Sequence, residues 1–338
     1  EDILEIRLRQ LARLEAIKIE QELSGLREEQ KKLEEILGNP SALRRLMIKE
    51  IEADAKTFAD PRRTLIQAEK KSVLEIKVVD EPVTVVVSQK GWVRAQKGWV
   101  RDKAGNASAA PTEYTFKPGD SLYGTFECRS VDTLLVFGNN GRIYSVAVAL
   151  LPGARGDGQP ITTLIDLEAG TQPAYYFAGP TTATLLLSSS GGYGFMASVD
   201  NMTARNKAGK AYVTCNEGET MCAPSIAANA AGSSPVVPAT HVACASTGGR
   251  LLTFEIAEMK TMTNGGRGLM LMGLEDKDTL AGAVAYTRSV KIEGIGRGGK
   301  ARDEILEIRS LNNARFPRGR KGKVADLGFK PASIGRVA

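Results

Sequence analysis

From Leu4 to Leu37 apolar residues return every three or four positions. Leu4, Leu8, Leu11, Leu23, Leu26, Leu33 and Leu37 form the stripe, with Glu, Lys and Arg between them. That spacing is one face of a 3.6-residue helix and predicts a helix over 3–37, with Gly25 as its weak point. The stretch LGNP stops it: Gly38 suits the position after the last turn, and Pro40 cannot continue the ladder. Asn39 can cap a second helix with Pro40 at its first position. This helix runs to about Phe58, has Leu43, Leu46, Met47 and Ile51 on its inner side, and ends at DPRRT, Asp60 to Thr64. A half-apolar helix of such length calls for a partner, either an upstream segment or another subunit.

After about residue 75 the period changes. PVTVVVS, TLLVF, ATLLLSS and HVACAS are short β-branched or apolar runs, each followed by a turn containing glycine. A second strand then begins with WVR, RIYSV, YGFMAS or RLLTFEI. The hairpin glycines Gly91, Gly141, Gly192 and Gly249 lie 50, 51 and 57 residues apart. A fifth run, SVKIEG from Ser289, leaves its hairpin glycine open between Gly294 and Gly299. Hairpins recurring at about 50 residues predict the blades of a propeller-like array, because one small sheet cannot cover both faces and a row of sheets can.

A Gly-rich basic loop and another short strand follow later hairpins: ARGDGQPIT, ARNKAGKAYV, NGGRGLML and RGRKGKVADL. Their late glycines are Gly158, Gly209, Gly268 and Gly322. The first three lie 17, 17 and 19 residues beyond their hairpin glycines, so one object recurs at one place in successive repeats. The hexamer QKGWVR occurs twice, from Gln89 and from Gln96, and holds both tryptophans, Trp92 and Trp99. A shift of seven is odd, so one continuous strand would turn the two indoles to opposite faces. Since the other repeats start only one strand here, Gln89–Arg94 reads as the hairpin and Gln96–Arg101 as the start of a connection. The second copy reads as a duplication inserted in a tolerant loop or as an error in the recorded sequence, with a tandem stacking site as the alternative.

At 338 residues, 42% apolar and 25% charged, the chain has the composition of a globular protein of two domains. It has no apolar run long enough for a membrane helix, and its first residues are too charged for a secretory signal. It begins without Met, which predicts a fragment or a processed product. Cys128, Cys215, Cys222 and Cys244 form no metal-type pair, and His241 is the single histidine, so neither a zinc site nor a His-based triad is indicated. Buried reduced thiols are expected. The net charge of +6 is unevenly placed: residues 1–70 are net −1, the middle is neutral, and residues 291–338 are net +7. Such a local basic field favours a polyanion, nucleic acid before membrane.

Glycine lets a backbone approach a phosphate closely, and flanking Lys and Arg supply salt-dependent attraction. The candidate DNA-binding residues are Arg94, Arg155, Arg205, Lys207, Lys210, Arg267, Arg318, Arg320, Lys321 and Lys323. No loop offers a helix face that reads base edges, so binding would follow the backbone and bend of the duplex with little sequence preference. The competing reading is that the glycines close strand corners and the charges are solvated, most evenly balanced where Asp157 offsets Arg155. A propeller-type protein-interaction module on a helical stalk is the alternative from another class.

ILEIRLRQLARLEAIKIEQEL followed by ADPRRT resembles the end of the breakage-reunion core in A subunits of bacterial type IIA topoisomerases. TVVVSQKGWVRAQKG, ARGDGQP, GGYGFMASVDNMTARNKAGKA and FPRGRKGK resemble the C-terminal domain of the topoisomerase IV A subunits, the ParC family, related to gyrase A. The resemblance implies a mainly β fold: a five-bladed β-pinwheel over 76–338, its blades exchanging strands, preceded by an α-helical segment over 1–75 from the dimer gate and coiled arm. It implies duplex DNA as ligand, ParE as the partner protein and self-association through the helical segment. ATP and Mg would serve the holoenzyme through the upstream core and the ParE partner, with no cofactor in this stretch. Strand passage, decatenation and supercoil relaxation would be the holoenzyme's work. A cytoplasmic, chromosome-associated location is implied, with the inner membrane face a further site for the family. The family's nucleophilic Tyr lies upstream of every matched stretch, so this chain alone is not expected to cleave DNA; Tyr144 and Tyr212 read as packing residues. Gyrase A carries a Gln-Arg-Arg-Gly-Gly-Lys-Gly box in its first blade; none occurs here, which argues against tight wrapping.

Overall fold

The computed structural model describes residues 8–60, 79–99, 114–153, 156–228, 237–296 and 298–337. The chain divides into two compact units, Glu1–Glu75 and Ile76–Ala338.

The first unit holds α1 (Leu8–Gly38) and α2 (Pro40–Phe58). Asn39 caps α2: its backbone is extended, its side chain accepts from the Ser41 N–H at 3.0 Å, and Pro40 fills the first helical position. Gly38 departs from expectation. It is the last residue of α1 without a left-handed backbone, because the Asn39 N–H still bonds Glu35 O at 3.1 Å. The break therefore lies at Asn39 and Pro40. The expected inner side of α2 is not an inside: Leu43, Leu46, Met47 and Ile51 are 36–63% exposed, and α2 buries no residue. Of DPRRT only Asp60 falls among the described residues, two past the end of α2.

The second unit is five small antiparallel sheets. The first repeat supplies β1 (Pro82–Ser88), β2 (Trp92–Lys97) and β3 (Leu122–Arg129). The second supplies β4 (Thr133–Gly138), β5 (Arg142–Ala147), β6 (Gln159–Pro160) and β7 (Pro173–Gly179). The third supplies β8 (Thr184–Ser188), β9 (Tyr193–Ser198), β10 (Lys210–Ala211) and β11 (Ser225–Ala228). The fourth supplies β12 (His241–Ser246), β13 (Arg250–Glu255), β14 (Leu269–Met270) and β15 (Leu280–Tyr286). The fifth supplies β16 (Ser289–Gly296), β17 (Ala301–Glu307), β18 (Lys323–Val324) and β19 (Phe329–Arg336).

The sheets run β3-β1-β2-β6, β10-β5-β4-β7, β11-β8-β9-β14, β15-β12-β13-β18 and β17-β16-β19. Each repeat thus keeps a hairpin and a third strand, and the second to fifth repeats send a two-residue strand back to the preceding sheet. The fold is a β-pinwheel, a propeller relative with exchanged strands, preceded by helices.

Period-two alternation explains the stacking. Leu134 and Val136 of β4 share one core with Val85 and Val87 of β1. Leu135 and Phe137, on the other face, share the next core with Leu185 and Leu187 of β8. Leu186 turns to Cys244 and Leu252, and Ala243 and Ala245 turn to Val290 and Ile292. Strands covered on both faces read as unbroken apolar runs, as Leu134 to Phe137 of β4 do. Tyr144 and Tyr212 are buried in these cores, as expected.

The fifth hairpin turns at Gly298 and Gly299, both at positive φ, while Gly294 lies inside β16. The long third interval, 57 residues, contains twelve residues between β11 and β12 against two to four between the corresponding strands elsewhere. The first hexamer copy makes the hairpin, but β2 runs on through Gln96 and Lys97 of the second copy. Gly98 then leaves the strand, its N–H bonded to Pro82 O at 2.8 Å. The connection begins two residues later than expected. Trp92 lies under the Lys117 ammonium at 3.6 Å, and the Trp99 indole N–H donates to Cys128 O at 3.2 Å. Arg101 lies outside the described residues.

Candidate nucleic-acid interface

The four loops found by their glycines deliver the exchanged strands. Pro160 pairs with Trp92, Ala211 with Arg142, Met270 with Tyr193 and Val324 with Arg250, always the first residue of the preceding repeat's second strand. A carbonyl in each hairpin then takes the next N–H groups: Gly91 O from Ile161, Gly141 O from Val213, Gly192 O from Leu271 and Gly249 O from Ala325, at 2.7–3.0 Å. Four loops therefore sit at one equivalent edge of four successive sheets.

Gly158, Gly209, Gly268 and Gly322 precede these strands at φ between +59° and +86°. A Cβ at Gly158 would stand 3.0 Å from Val93 C, and one at Gly268 2.6 Å from Gly194 C. These glycines serve close passage of one backbone over another, not approach to a phosphate. The strand-corner reading holds for them.

The cations of the same loops separate into two groups. Arg94 is buried: its guanidinium donates to Gly156 O at 2.8 Å and Thr115 O at 3.1 Å, beside the rings of Tyr114 and Phe116. It ties the second repeat's loop to the first sheet and presents no charge to a ligand. Lys210 is half-buried, its Nζ bonds Asn201 O, and burial lowers its pKa. Arg267 lies over Tyr193 with Cζ 4.1 Å from the ring and pairs with Glu219 at 3.0 Å. Arg318 donates to Met270 O at 2.6 Å. Arg205, Lys207, Arg320 and Lys323 are exposed and make no ion pair among the described residues. Lys321 is exposed with Glu275 3.9 Å away. Arg155 lies outside the described residues.

A second row of cations joins Arg267, which the sequence singled out, to Lys117, Arg142 and Arg250, which it did not. Before its third strand each of the first four repeats makes a turn, in which the N–H of Asp120, Thr171, Glu219 or Asp278 bonds the carbonyl of Lys117, Glu168, Asn216 or Glu275 at 2.9–3.0 Å. This turn, the hairpin start and the incoming loop meet at one junction, and each junction seats a cation. Lys117 covers Trp92. Arg142 donates to Ala208 O at 2.7 Å and lies 3.8 Å from Glu168. Arg267 covers Tyr193. Arg250 pairs with Glu275 at 2.8 Å and reaches Gly322 O at 3.3 Å. Turn, strand and loop supply these cations in different repeats, so no single motif repeats. The usable signal is the residue after each hairpin glycine: Trp92, Arg142, Tyr193 and Arg250.

The turns are pinned electrostatically. Burial would raise the pKa of Asp278, but hydroxyls of Ser246 and Thr247 and the N–H groups of Gly248 and Thr279 hold it below its usual value. Asp120 is lowered in the same way by Ser88 and the Lys90 and Ser121 N–H groups against the effect of burial. Burial pushes the Cys128 and Cys222 thiols up to about 12, raises Cys244 and Cys215, and lowers His241. Among the described residues no group of three or more His, Cys, Asp or Glu is placed to hold a metal ion. Among the described residues no helix is long and apolar enough to cross a membrane.

The sequence model of the DNA gyrase C-terminal domain, beta-propeller, matches residues 132–168 and 240–286, in the second and fourth repeats. The chain is 41% identical over 333 residues to the A subunit of DNA topoisomerase 4 from Neisseria gonorrhoeae, covering 97% of this chain and 41% of the relative. It is 32% identical over 338 residues to the same protein of Pseudomonas aeruginosa, covering 97% of this chain and 42% of the relative. The chain thus spans about two fifths of the length of these relatives. The solved C-terminal domain of E. coli ParC is similar with a TM-score of 0.61 and 26% identity, covering 75% of this chain and 98% of that domain.

Proposed function

The chain belongs to the A-subunit family of DNA topoisomerase IV, related to the gyrase A C-terminal domain, and from that membership we propose that its pinwheel binds duplex DNA along the sheet edges carrying the exchanged strands. One observation carries the proposal: the returning loops sit at one equivalent edge of four successive sheets, and those reaching the second and fourth sheets carry exposed cations. Arg205 and Lys207 lie before β10, and Arg320, Lys321 and Lys323 lie around β18. Seated cations at the junctions stand beside them. Phosphates attract such studs whatever the base sequence, and the duplex would track them by bending. Arg94 drops out of the interface because it is buried, and Arg267 and Arg318 contribute at most their exposed faces.

In a holoenzyme this domain would hold DNA for ATP-dependent strand passage, decatenation and supercoil relaxation. A ParE partner and an upstream core would supply ATP, Mg and the cleaving Tyr, and the helical unit would take part in self-association. The setting would be the cytoplasm, on the chromosome.

The test is duplex binding by the chain at about 50 and 200 mM salt, on two unrelated sequences and on relaxed and supercoiled plasmid. Binding should be sequence-indifferent and salt-sensitive, and Arg320→Glu with Lys323→Glu should lower the salt exponent by about 2 if each meets one phosphate. A chain that binds without salt dependence, or a double variant that binds like the original, would favour a protein-interaction module instead.

A further inference from the structure

The rim holds a device that duplex binding does not explain: its strongest junction cations are already occupied. Arg250 and Lys321 both face one carboxylate, Glu275, at 2.8 and 3.9 Å. Arg250 comes from the second strand of the fourth sheet, Lys321 from the loop of the fifth repeat, and Glu275 from the turn before β15. Their side chains are 26%, 63% and 48% exposed, so the carboxylate lies where an incoming phosphate oxygen would go. A carboxylate and a phosphate offer a guanidinium the same planar pair of acceptors, so the two compete for one donor edge. The second junction repeats the arrangement more loosely, with Arg142 and Glu168 at 3.8 Å.

We propose that Glu275 is an affinity-setting residue that holds Arg250 and Lys321 in the place of a phosphate, so that a duplex must displace it to engage the fourth junction. This rests on the duplex-binding reading above. A partly exposed ion pair of this kind is weak, and a polyanion can exchange it. The result is a rim that grips reversibly instead of closing tightly on DNA.

The experiment compares the original chain with E275Q, D276N and E275Q/R250Q, using a random duplex of about 30 base pairs at about 50 and 200 mM salt. Gln is isosteric and leaves the turn's backbone bond intact, and melting curves should coincide. Asp276 carries the same charge one residue along and makes no ion pair among the described residues. For E275Q the ratio of affinities at the two salts should rise about 3.5-fold for one freed cation and about 12-fold for two, from an exponent of about 0.9 per phosphate. D276N should change the ratio far less, and adding R250Q should remove part of the gain. An unchanged ratio in E275Q, or an equal rise in D276N, overturns the proposal while leaving duplex binding intact. Absence of salt-sensitive binding in the original chain overturns the duplex reading and this proposal together.

Discussion

Replacing Gly322 by Ala tests whether the loop glycines exist for strand exchange. Gly322 has φ +70°, and a Cβ there would fall on Leu251 O, 2.8 Å from Leu251 C and 3.0 Å from Leu252 Cβ. These neighbours are the backbone and Cβ of a buried strand, so none is a flexible tip that can swing aside. A left-handed Ala costs about 1–2 kcal/mol before any contact is counted. Relieving the overlap must shift β18 off β13, weakening up to three backbone hydrogen bonds at about 1 kcal/mol each. Those bonds lie in the pairs Arg250–Val324 and Leu251–Lys323 and from Ala325 N–H to Gly249 O. The expected loss is therefore about 3–5 kcal/mol, or about 8 °C in Tm for a unit of this size. Gly299→Ala is the control: φ is +75° and nothing lies within 4 Å of its Cβ. It should lose only the conformational part, about 1–2 kcal/mol and about 3 °C. Urea and thermal melts of the two variants give the comparison. If Gly322→Ala falls no further than Gly299→Ala, the close-passage argument is wrong.

Arg94→Met should cost about 2 kcal/mol in a urea melt, since the Gly156 and Thr115 carbonyls lose a charged donor, and Arg94→Lys should not restore it. Duplex affinity measured on the folded Arg94→Met variant should be unchanged; a loss would put this residue at the interface. The lowered pKa of Asp278 gives stability that is complete above the ordinary carboxylate value near 4 and disappears as pH falls through the lower folded value. The gap between the original chain and Asp278→Asn in urea should accordingly be constant from about pH 5 to 7 and shrink progressively as pH falls below about 4; a gap that does not shrink on acidification would refute the assignment. A thiol reagent at about pH 8 should modify half-buried Cys215 first and reach Cys128, Cys222 and Cys244 only on unfolding, as mass spectrometry would report.

The sequence showed the hairpins well and the third strands poorly. YGFMAS and HVACAS match β9 and β12 residue for residue, because β-branched or apolar runs bounded by glycine turns leave few alternatives. LAGAVAY and SIAA escaped notice because Ala and Gly have little strand preference of their own; packing between two sheets makes them strands. The Gly-rich loops were found in the right places, yet their glycines serve the neighbouring backbone. Pairing between residues as far apart as Tyr193 and Met270 leaves no local mark. Arg94 looked like a rim cation because nothing local reveals that Tyr114, Phe116 and two carbonyls will enclose it. Arg142 and Arg250 were passed over for the opposite reason: each sits in an ordinary strand start, and only the returning loop makes it part of an edge. The helices were legible to within a residue at Gly38, but amphipathic spacing could not reveal that α2 would have no covered face.

The return of each short strand to the preceding sheet also gives the molecule a direction in time. Trp92 must wait for Pro160, Arg142 for Ala211, Tyr193 for Met270 and Arg250 for Val324 before its edge is covered. At ribosomal rates of about 5–20 residues per second, that interval is on the order of several seconds for each sheet. Throughout synthesis the newest hairpin therefore emerges with one bare flank, and the nascent chain heals it only by growing. A stalled ribosome would leave a sticky edge that points at whatever chain lies nearest.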